Sequence, residues 1–309
     1  MTDLRVGVFA PVGQFAAPAE QREAMLARIA SAGVDHVCVN DHVSFLVGAG
    51  ADALIDAAAV LTRYPGLPCY IALYLLPLRH PVLVARQLAS LAEHAPGRLT
   101  FGVGIGGEDP HEYEVCGVDP STRGRRMDES LELLRALSDG KPVSFDGEFF
   151  RVRDAQIVPA PPSPIPITIG GRSEAAVRRA GQYGDGWLGI WVSPQRYRSV
   201  VDQVAMHAVH AGRNPNGFEH ALNVWCGFGP NKQDARGPLA IGMRTFYQMP
   251  FEPFERYSPY GTPADVAEFL ASYVEAGCSV FNVIACAVDH ETAVSGVAEV
   301  RRLLRAVAS

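Results

Sequence analysis

The tripeptide Asn40-Asp41-His42 stands where an apolar run, GVDHVCV, stops. A neutral imidazole can take up or release a proton near neutral pH, and a carboxylate beside it can contact a ligand. The alternative is a hydrogen-bonded pair that only caps the loop. We interpret Asp41 and His42 as catalytic, because the strand ends of a parallel α/β barrel are where such groups are used.

The segment IGGRSEAAVRRAG offers a possible anion site. Gly170 and Gly171 end an apolar run, Ser173 is a suitable helix N-cap, and backbone N–H groups at a helix start can hold a phosphate with help from Arg172. The alternative is a tight strand-to-helix turn with a capping serine. The residues alone favour that alternative.

The segment GVGIGG, residues 102–107, formally matches a dinucleotide-binding motif. Four predicted strands precede it and acidic residues follow it, so a Rossmann site is disfavoured. The glycines fit a backbone that lies close to a flat ring or to another chain segment, and equally a loop with unusual dihedral angles. The pair His207 and His210 has no third ligand nearby, so no metal site is predicted.

Strand-like apolar runs alternate with segments of helical period along the whole chain. Continuous apolar strands that are each followed by an amphipathic helix predict a parallel sheet covered by helices. Eight such units favour a (β/α)8 TIM barrel, which we expect to form a single domain over residues 1–309. The predicted strands are 4–10, 34–40, 69–76, 98–104, 165–171, 185–191, 221–229 and 279–287.

Two segments interrupt this rhythm. Residues 141–166 alternate in polarity around Asp146-Gly147, which predicts a small hairpin insertion. Residues 230–262, after strand seven, are rich in aromatic residues and prolines. We interpret this extended insertion as either a lid over the barrel or a subunit contact, because long loops are often functional and aromatic surfaces mark interfaces.

Composition limits the function classes. With 309 residues, 48% of them apolar and a formal net charge of −6, the chain has no basic excess for binding nucleic acid. No stretch predicts a membrane span, and the first residues lack a signal-peptide layout, so we expect a cytoplasmic protein. Six scattered cysteines without a CxxC pair are interpreted as reduced packing residues.

Five motifs in order carry a family resemblance: the Asp-His pair after strand two, LPLRHPVLVARQLASL, PGRLTFGVGIGG with EYE after it, TRGRRMDESLELLR, and PIPITIGGRSEAAVRRAGQYGDGW. Together they resemble the bacterial luciferase-like superfamily of flavin and deazaflavin oxidoreductases, over nearly the whole chain. HEYEVCGVDPSTRGRR, GDGWLGIWVSP and PFEPFERYSPYGTP are similar to actinobacterial probable oxidoreductases that depend on coenzyme F420, a deazaflavin.

The resemblance implies a barrel that binds the anionic cofactor at the carboxyl ends of its strands. His42 matches the histidine that acts as acid or base near the reactive ring, and Asp41 matches its acidic neighbour. The loop after strand four, which lines the ring in the family, corresponds to Gly106, Gly107 and Glu108.

The resemblance also assigns the remaining cofactor contacts. Leu73-Tyr74 matches a strand-three position where deazaflavin relatives have a non-proline cis peptide, although Tyr74 replaces the usual small or aliphatic residue and leaves that bond open. Arg125 roughly matches a phosphate-binding arginine, with Arg123 and Arg126 as neighbouring alternatives. The second phosphate-binding stretch corresponds to Gly170, Gly171, Arg172 and Ser173, which raises the anion site above a simple turn.

The function that this resemblance implies is hydride transfer between coenzyme F420 and an unidentified small organic substrate, with Trp191 in the substrate pocket. One alternative is an FMN-dependent monooxygenase that a separate reductase supplies. A second is a barrel that only binds cofactor, since a fold does not guarantee activity. The phosphate stretch has no lysine, which does not support a sugar-phosphate substrate. We expect a homodimer, because relatives commonly pair.

Overall fold

The computed structural model of the protein describes residues 4–10, 18–46, 48–107 and 109–308. The strands are β1 Arg5–Phe9, β2 Val37–Val39, β3 His42–Phe45, β4 Ala49–Ala51, β5 Cys69–Leu75, β6 Leu99–Gly104, β7 Val143–Asp146, β8 Arg151–Ala155, β9 Ile167–Gly170, β10 Gly186–Ile190, β11 Ala221–Phe228, β12 Tyr260–Gly261 and β13 Val280–Cys286. The α-helices are α1 Ala19–Ser31, α2 Ala53–Arg63, α3 Pro81–His94, α4 His111–Val115, α5 Arg123–Leu137, α6 Glu174–Tyr183, α7 Pro194–His210, α8 Lys232–Tyr247, α9 Pro263–Glu275 and α10 His290–Ala308. Short 3-10 helices cover Leu76–Leu78, Pro120–Thr122 and Glu252–Tyr257.

Each predicted barrel strand is present, as β1, β2, β5, β6, β9, β10, β11 and β13. Helices follow these strands in the order of a (β/α)8 barrel, so the predicted fold class is confirmed. The predicted hairpin is β7–β8, and the insertion after strand seven begins with helix α8. The contacts divide the chain into two compact units: the first runs to Cys38 and resumes at Gly186, and the second is Val39–Asp185. A single domain over residues 1–309 stays a prediction.

The first unit is built on parallel strands in the order β10, β11, β13, β1 and β2. All eight residues of β11 are buried, which explains why this strand reads as a continuous apolar run. A polar chain crosses its interior: His36 Nε2 lies 2.7 Å from Asn282 Oδ1, and Asn282 Nδ2 donates to Asn223 Oδ1 at 3.0 Å. A Cβ atom at Gly7 would overlap the His36 ring, so this position requires glycine.

The second unit contains the parallel strands β5, β6 and β9 and the antiparallel hairpins β3–β4 and β7–β8. The Asp52 carboxylate caps α2 by accepting the N–H groups of Leu54 and Ile55 at 2.9 and 3.1 Å. The β7–β8 turn is held by Glu129 of α5, whose carboxylate accepts backbone N–H groups of residues 148–150. The predicted hairpin is therefore attached to α5.

In the described ranges, no helix combines the length and apolarity that a membrane crossing requires. The six cysteines are free thiols; four of them are buried, whereas Cys116 and Cys286 are half-buried.

Candidate active site

His42 opens strand β3, and its ring is held from two sides within the second unit. Nδ1 lies 3.1 Å from Oε2 of Glu112 on α4, and the ring stacks on Phe45 with centroids 4.2 Å apart. The His42 side chain is 15% exposed and that of Glu112 is 4% exposed, so little water competes for the bond. A carboxylate on Nδ1 favours the tautomer in which Nε2 can accept a proton.

Glu112 also fixes the strand that carries His42. Its Oε1 accepts the N–H groups of Val43 at 2.8 Å and Ser44 at 3.3 Å. Burial alone would raise the pKa of Glu112, but the hydrogen bond and charge of His42 and these two N–H groups hold it below its usual range. The carboxylate is therefore ionised at neutral pH and can stabilise an imidazolium.

Sequence reasoning missed Glu112. The acidic residues after the glycine loop served only as an argument against a Rossmann site, whereas residues 111–115 form α4 and carry Glu112. An available signal was Glu112 itself, in an acidic segment that directly follows a strand-four glycine loop. Nothing in the spacing pairs it with His42, because the two residues lie 70 positions apart.

Asp41 is fully occupied by contacts within the second unit. Its carboxylate accepts two bonds from the Arg79 guanidinium, at 2.6 and 2.8 Å, and backbone N–H bonds from Leu75 at 2.9 Å and Ala53 at 3.3 Å. Burial raises the pKa of Asp41, and Arg79 with the two N–H groups opposes that shift. These hydrogen bonds connect the end of β2 to β5 and α2. The contact between Asp41 and a cofactor ring, which the resemblance implied, stays a prediction.

The Leu73 side chain packs against the backbone of three glycines. A Cβ atom at Gly104 would lie 2.8 Å from Leu73 Cδ1, one at Gly102 would lie 3.1 Å from Cδ2, and one at Gly170 would overlap the side chain. Leu73 remains half-buried, so its outer surface is available as an apolar platform. The missing side chain of Gly170 thus makes room for Leu73.

The non-proline cis peptide lies between Ala72 and Leu73. The position suggested by the resemblance, Leu73-Tyr74, is therefore wrong by one bond. The Tyr74 side chain is buried beneath Arg79, whose guanidinium carbon lies 4.5 Å from the ring centroid. This cation–π contact occupies one face of the ring, and burial raises the Tyr74 pKa.

The glycine loop after β6 has the unusual dihedral angles that were one of its two predicted features. Gly106 and Gly107 have φ of 59° and 130°, values that side chains disfavour. The Arg123 guanidinium lies beside Gly107, 3.7 Å from where a Cβ atom would stand. The predicted contact Glu108 lies outside the described residues. The Tyr113 hydroxyl donates a hydrogen bond to the Ile105 carbonyl, which helps to fix the conformation of the loop.

Among the three candidate arginines, Arg125 does not point to this loop. It pairs with Glu148 of the β7–β8 turn, stacks over Phe149 at 5.3 Å, and its side chain is 59% exposed. Arg126 also lies over Phe149, at 5.2 Å. Of the three arginines, Arg123, which was an alternative to Arg125 in the sequence, is the one that lies next to the glycine loop.

The predicted anion stretch forms the start of helix α6. Ser173 is its N-cap, with Oγ accepting the Ala176 N–H at 3.3 Å. Gly171 has φ of 125°, and a Cβ atom there would approach the Ala176 side chain to 2.8 Å. Arg172 is exposed beside this turn. A helix start of this kind directs backbone N–H groups and a positive partial charge outward.

Trp191 belongs to the first unit, where it follows β10. It has φ of 51°, an uncommon value for a bulky residue. Its ring packs against Phe254 at 4.5 Å and Tyr247 at 5.0 Å, and Tyr247 packs on Trp225 at 5.8 Å. The aromatic residues after strand seven thus pack on Trp191. Its role in a substrate pocket, and the insertion's role as lid or subunit contact, stay predictions.

The second unit therefore assembles two chemical capacities. The pair of His42 and Glu112 can move a proton, and the start of α6 can bind an anion. No group of metal-ligating side chains occurs among the residues that the structure describes.

Comparison with known proteins shows which proteins the chain is similar to. The profile of a family described as luciferase-like monooxygenase matches residues 4–259. An uncharacterized protein of Mycobacterium tuberculosis is 35% identical over 179 residues, which cover 56% of this chain and 61% of that protein. An F420-dependent glucose-6-phosphate dehydrogenase of Beutenbergia cavernae is 35% identical over 192 residues, which cover 60% of this chain and 56% of that enzyme. The chain thus spans about three fifths of the length of the curated relatives it matches.

Two solved structures share the fold. An F420-dependent secondary alcohol dehydrogenase, in complex with an F420-acetone adduct, has a TM-score of 0.83 and 22% identity, with 98% of this chain and 99% of the other covered. The monooxygenase RslO1 from Streptomyces bottropensis has a TM-score of 0.85 and 20% identity, with 99% and 100% covered. At these identities the likeness shows the fold alone.

Proposed function

The chain belongs to the luciferase-like monooxygenase family, and on that basis we propose that it is an F420-dependent oxidoreductase that transfers a hydride between the deazaflavin and a small organic substrate. The observation that carries this proposal is the buried pair of His42 and Glu112. The names of F420-dependent relatives in the same family support the choice of cofactor.

The second unit contains groups that fit such a cofactor. Leu73, bedded on glycines of β6 and β9, offers an apolar surface suited to a flat ring. The start of α6, with Arg172 and Ser173, offers donors suited to a phosphate. Arg123, beside the glycine loop, adds a second cationic group. An apolar bed and cationic groups together match the two chemical parts of a deazaflavin with a phosphate-bearing side chain.

The bound deazaflavin would supply hydride acceptance or donation, and the chain would supply orientation and proton movement. A hydroxyl-bearing carbon that gives up a hydride must also lose the hydroxyl proton. His42 Nε2 is the atom that we assign to that proton, and it returns the proton when the substrate is reduced instead. Glu112 keeps the ring orientation and stabilises the imidazolium that forms. Asp41 keeps the strand end in place through Arg79 and Leu75.

A titration of the purified protein with F420 and, separately, with FMN tests the cofactor. We expect fluorescence quenching that indicates tight F420 binding, and little response to FMN. Tight FMN binding without any response to F420 would contradict the proposal and favour the FMN-dependent monooxygenase. A His42→Gln variant is a useful companion, because it should keep F420 binding while it loses turnover.

The remaining parts of the proposal concern substrate and assembly. A panel of small alcohols and carbonyl compounds, with F420 as the redox partner, tests for turnover. If the protein bound F420 but converted none of these compounds, a barrel that only binds cofactor would be favoured. We also propose a homodimer, which light scattering of the purified protein can check.

A further inference from the structure

The hairpin β3–β4 carries His42 at its first position and is held by acidic side chains from the segment after β6. Glu112 accepts the N–H groups of Val43 and Ser44, and Asp109 Oδ2 accepts the Leu46 N–H at 2.7 Å. The hairpin's own pairing is irregular between His42 and Phe45. These carboxylates therefore replace part of the backbone pairing that a regular hairpin would have.

Asp109 binds two elements at once. Its other oxygen, Oδ1, accepts the N–H of His111 at 3.0 Å, and His111 is the first residue of α4. Helix α4 carries Glu112, while the hairpin carries His42. One carboxylate thus connects the elements that supply the two members of the proton-transfer pair.

The bond to Leu46 meets a specific need. Leu46 has φ of 49°, in the left-handed region that is unfavourable for a residue with a side chain. Its side chain is 39% exposed, so its own burial offsets that cost only in part. A hydrogen bond from its N–H to a charged acceptor is stronger than a neutral one and suits this position.

A local cap does not require this arrangement. An aspartate that starts a short helix needs one oxygen for the N–H two residues later, and Oδ1 fulfils that need. The bond from Oδ2 spans 63 residues to the tip of another element. Asp119 offers a comparison, because its Oδ1 accepts the Ser121 N–H at 2.8 Å in the same local pattern at the start of a 3-10 helix.

We propose that Asp109 is a positioning residue, which fastens the β3–β4 hairpin to α4 and so keeps His42 Nδ1 within hydrogen-bonding distance of Glu112. Its consequence for catalysis rests on the proposed function, while the fastening itself is a property of the protein without cofactor. Asp109 needs no contact with substrate or cofactor for this role.

Two substitutions separate the fastening from the cap. Asp109→Ser keeps a hydroxyl that can accept the His111 N–H but is too short to reach Leu46 as well. Asp109→Asn keeps the size of the side chain but has one oxygen for two N–H groups. Asp119→Asn is the matched control, since it changes the same kind of local cap without touching the hairpin.

The measurements use the full chain without added cofactor. Amide hydrogen exchange, resolved by residue, should be about tenfold faster at Leu46 in both Asp109 variants, because its bond to a charged acceptor is lost. Exchange should also be faster at Val43 and Ser44, because the hairpin then moves away from Glu112. NMR of isotope-labelled histidine should show that the His42 ring loses the signature of a hydrogen-bonded Nδ1. Asp119→Asn should match the wild type in both measurements.

Two outcomes would overturn the proposal. Exchange rates in the Asp109 variants equal to those of Asp119→Asn would show that Asp109 does not fasten the hairpin. Faster exchange with an unchanged His42 ring signature would show a purely structural bond. Because neither measurement needs F420, a failure of F420 binding would contradict the proposed function and leave this result intact. Far-UV circular dichroism checks folding, and the milder Asp109→Asn carries the test if Asp109→Ser unfolds.

Discussion

His42 Nδ1 and Glu112 Oε2 are 3.1 Å apart, although 70 residues separate them in the chain. The carboxylate is buried, ionised and held by two backbone N–H groups of the strand that carries the histidine. This relationship gives the imidazole one orientation. The neighbouring Asp41 is bound to Arg79 instead, so the two adjacent side chains have different partners.

Replacing Glu112 by glutamine should reduce turnover roughly 100-fold or more, because loss of an orienting carboxylate leaves the imidazole in the wrong tautomer. F420 binding should change little, since the proposed phosphate site lies at α6. Steady-state rates with F420 and a small alcohol that the wild type oxidises provide the measurement.

The matched control for Glu112 is Glu114→Gln on the same helix. Its side chain is 67% exposed and its Oε2 lies 3.7 Å from Nδ1 of His111, which is 56% exposed, so turnover should stay within about twofold of the wild type. If Glu112→Gln lost no more activity than Glu114→Gln, the carboxylate would have no role in orienting His42.

Arg123→Ala should weaken F420 binding about tenfold or more, since a charged hydrogen bond to an anion would be lost. Arg125→Ala should change binding less than about twofold, because Arg125 pairs with Glu148 on the exposed hairpin turn. Fluorescence titration measures both variants. A larger effect from Arg125→Ala would restore the assignment that the family resemblance suggested.

Gly170→Ala should destabilise the protein by about 1–3 kcal/mol, because the added methyl group would overlap Leu73 in a packed region. Urea unfolding of Gly170→Ala, Leu73→Ala and the double variant measures the coupling; the double variant should be more stable than the sum of the two changes implies. Gly66→Ala, at an exposed turn position with no atom beyond its chain neighbours within 4 Å of the added methyl group, should be neutral or stabilising. Additive effects of the first two changes would contradict the overlap.

Stability should fall as the pH falls from about 6.5 to about 4, partly through His36. Burial lowers the pKa of His36 to about 4, below the 6.5 of the unfolded chain, so in this window the unfolded state binds more protons. Burial lowers the pKa of His220 to about 4 as well, and it contributes in the same window.

A His36→Gln variant should therefore lose less stability than the wild type across that range, by up to about 3 kcal/mol. Denaturant unfolding at several pH values measures the slopes. Above about pH 6.5 the two slopes should coincide, which serves as the internal reference. Parallel curves at all pH values would show that His36 does not titrate on unfolding.

The chain's sequence predicted the elements well because their signals are local. The run ALNVWCGF became β11 with every residue buried, and the hairpin signal around Asp146-Gly147 became β7–β8. Helix α6 begins at its predicted serine cap. Such features depend on apolar periodicity, turn residues and caps, which a few neighbouring residues determine.

Local sequence patterns did not predict which side chains become partners within the second unit. Asp41 and His42 are adjacent in sequence and share a strand end, yet the fold directs Asp41 to Arg79 and His42 to Glu112. The choice among Arg123, Arg125 and Arg126 depended on how one turn of α5 faces the β7–β8 hairpin. The cis peptide lies one bond before the position that the family resemblance suggested.

The sequence by itself determined the order of strands and helices, the fold class and the strand end that carries His42, because hydrophobic periodicity and capping act between residues close in the chain. Only the tertiary structure decided that Glu112 orients His42, that Asp109 fastens their two elements and that Gly170 makes room for Leu73. Those relationships join residues dozens of positions apart, and their distances depend on how strands and helices pack, which no local pattern encodes.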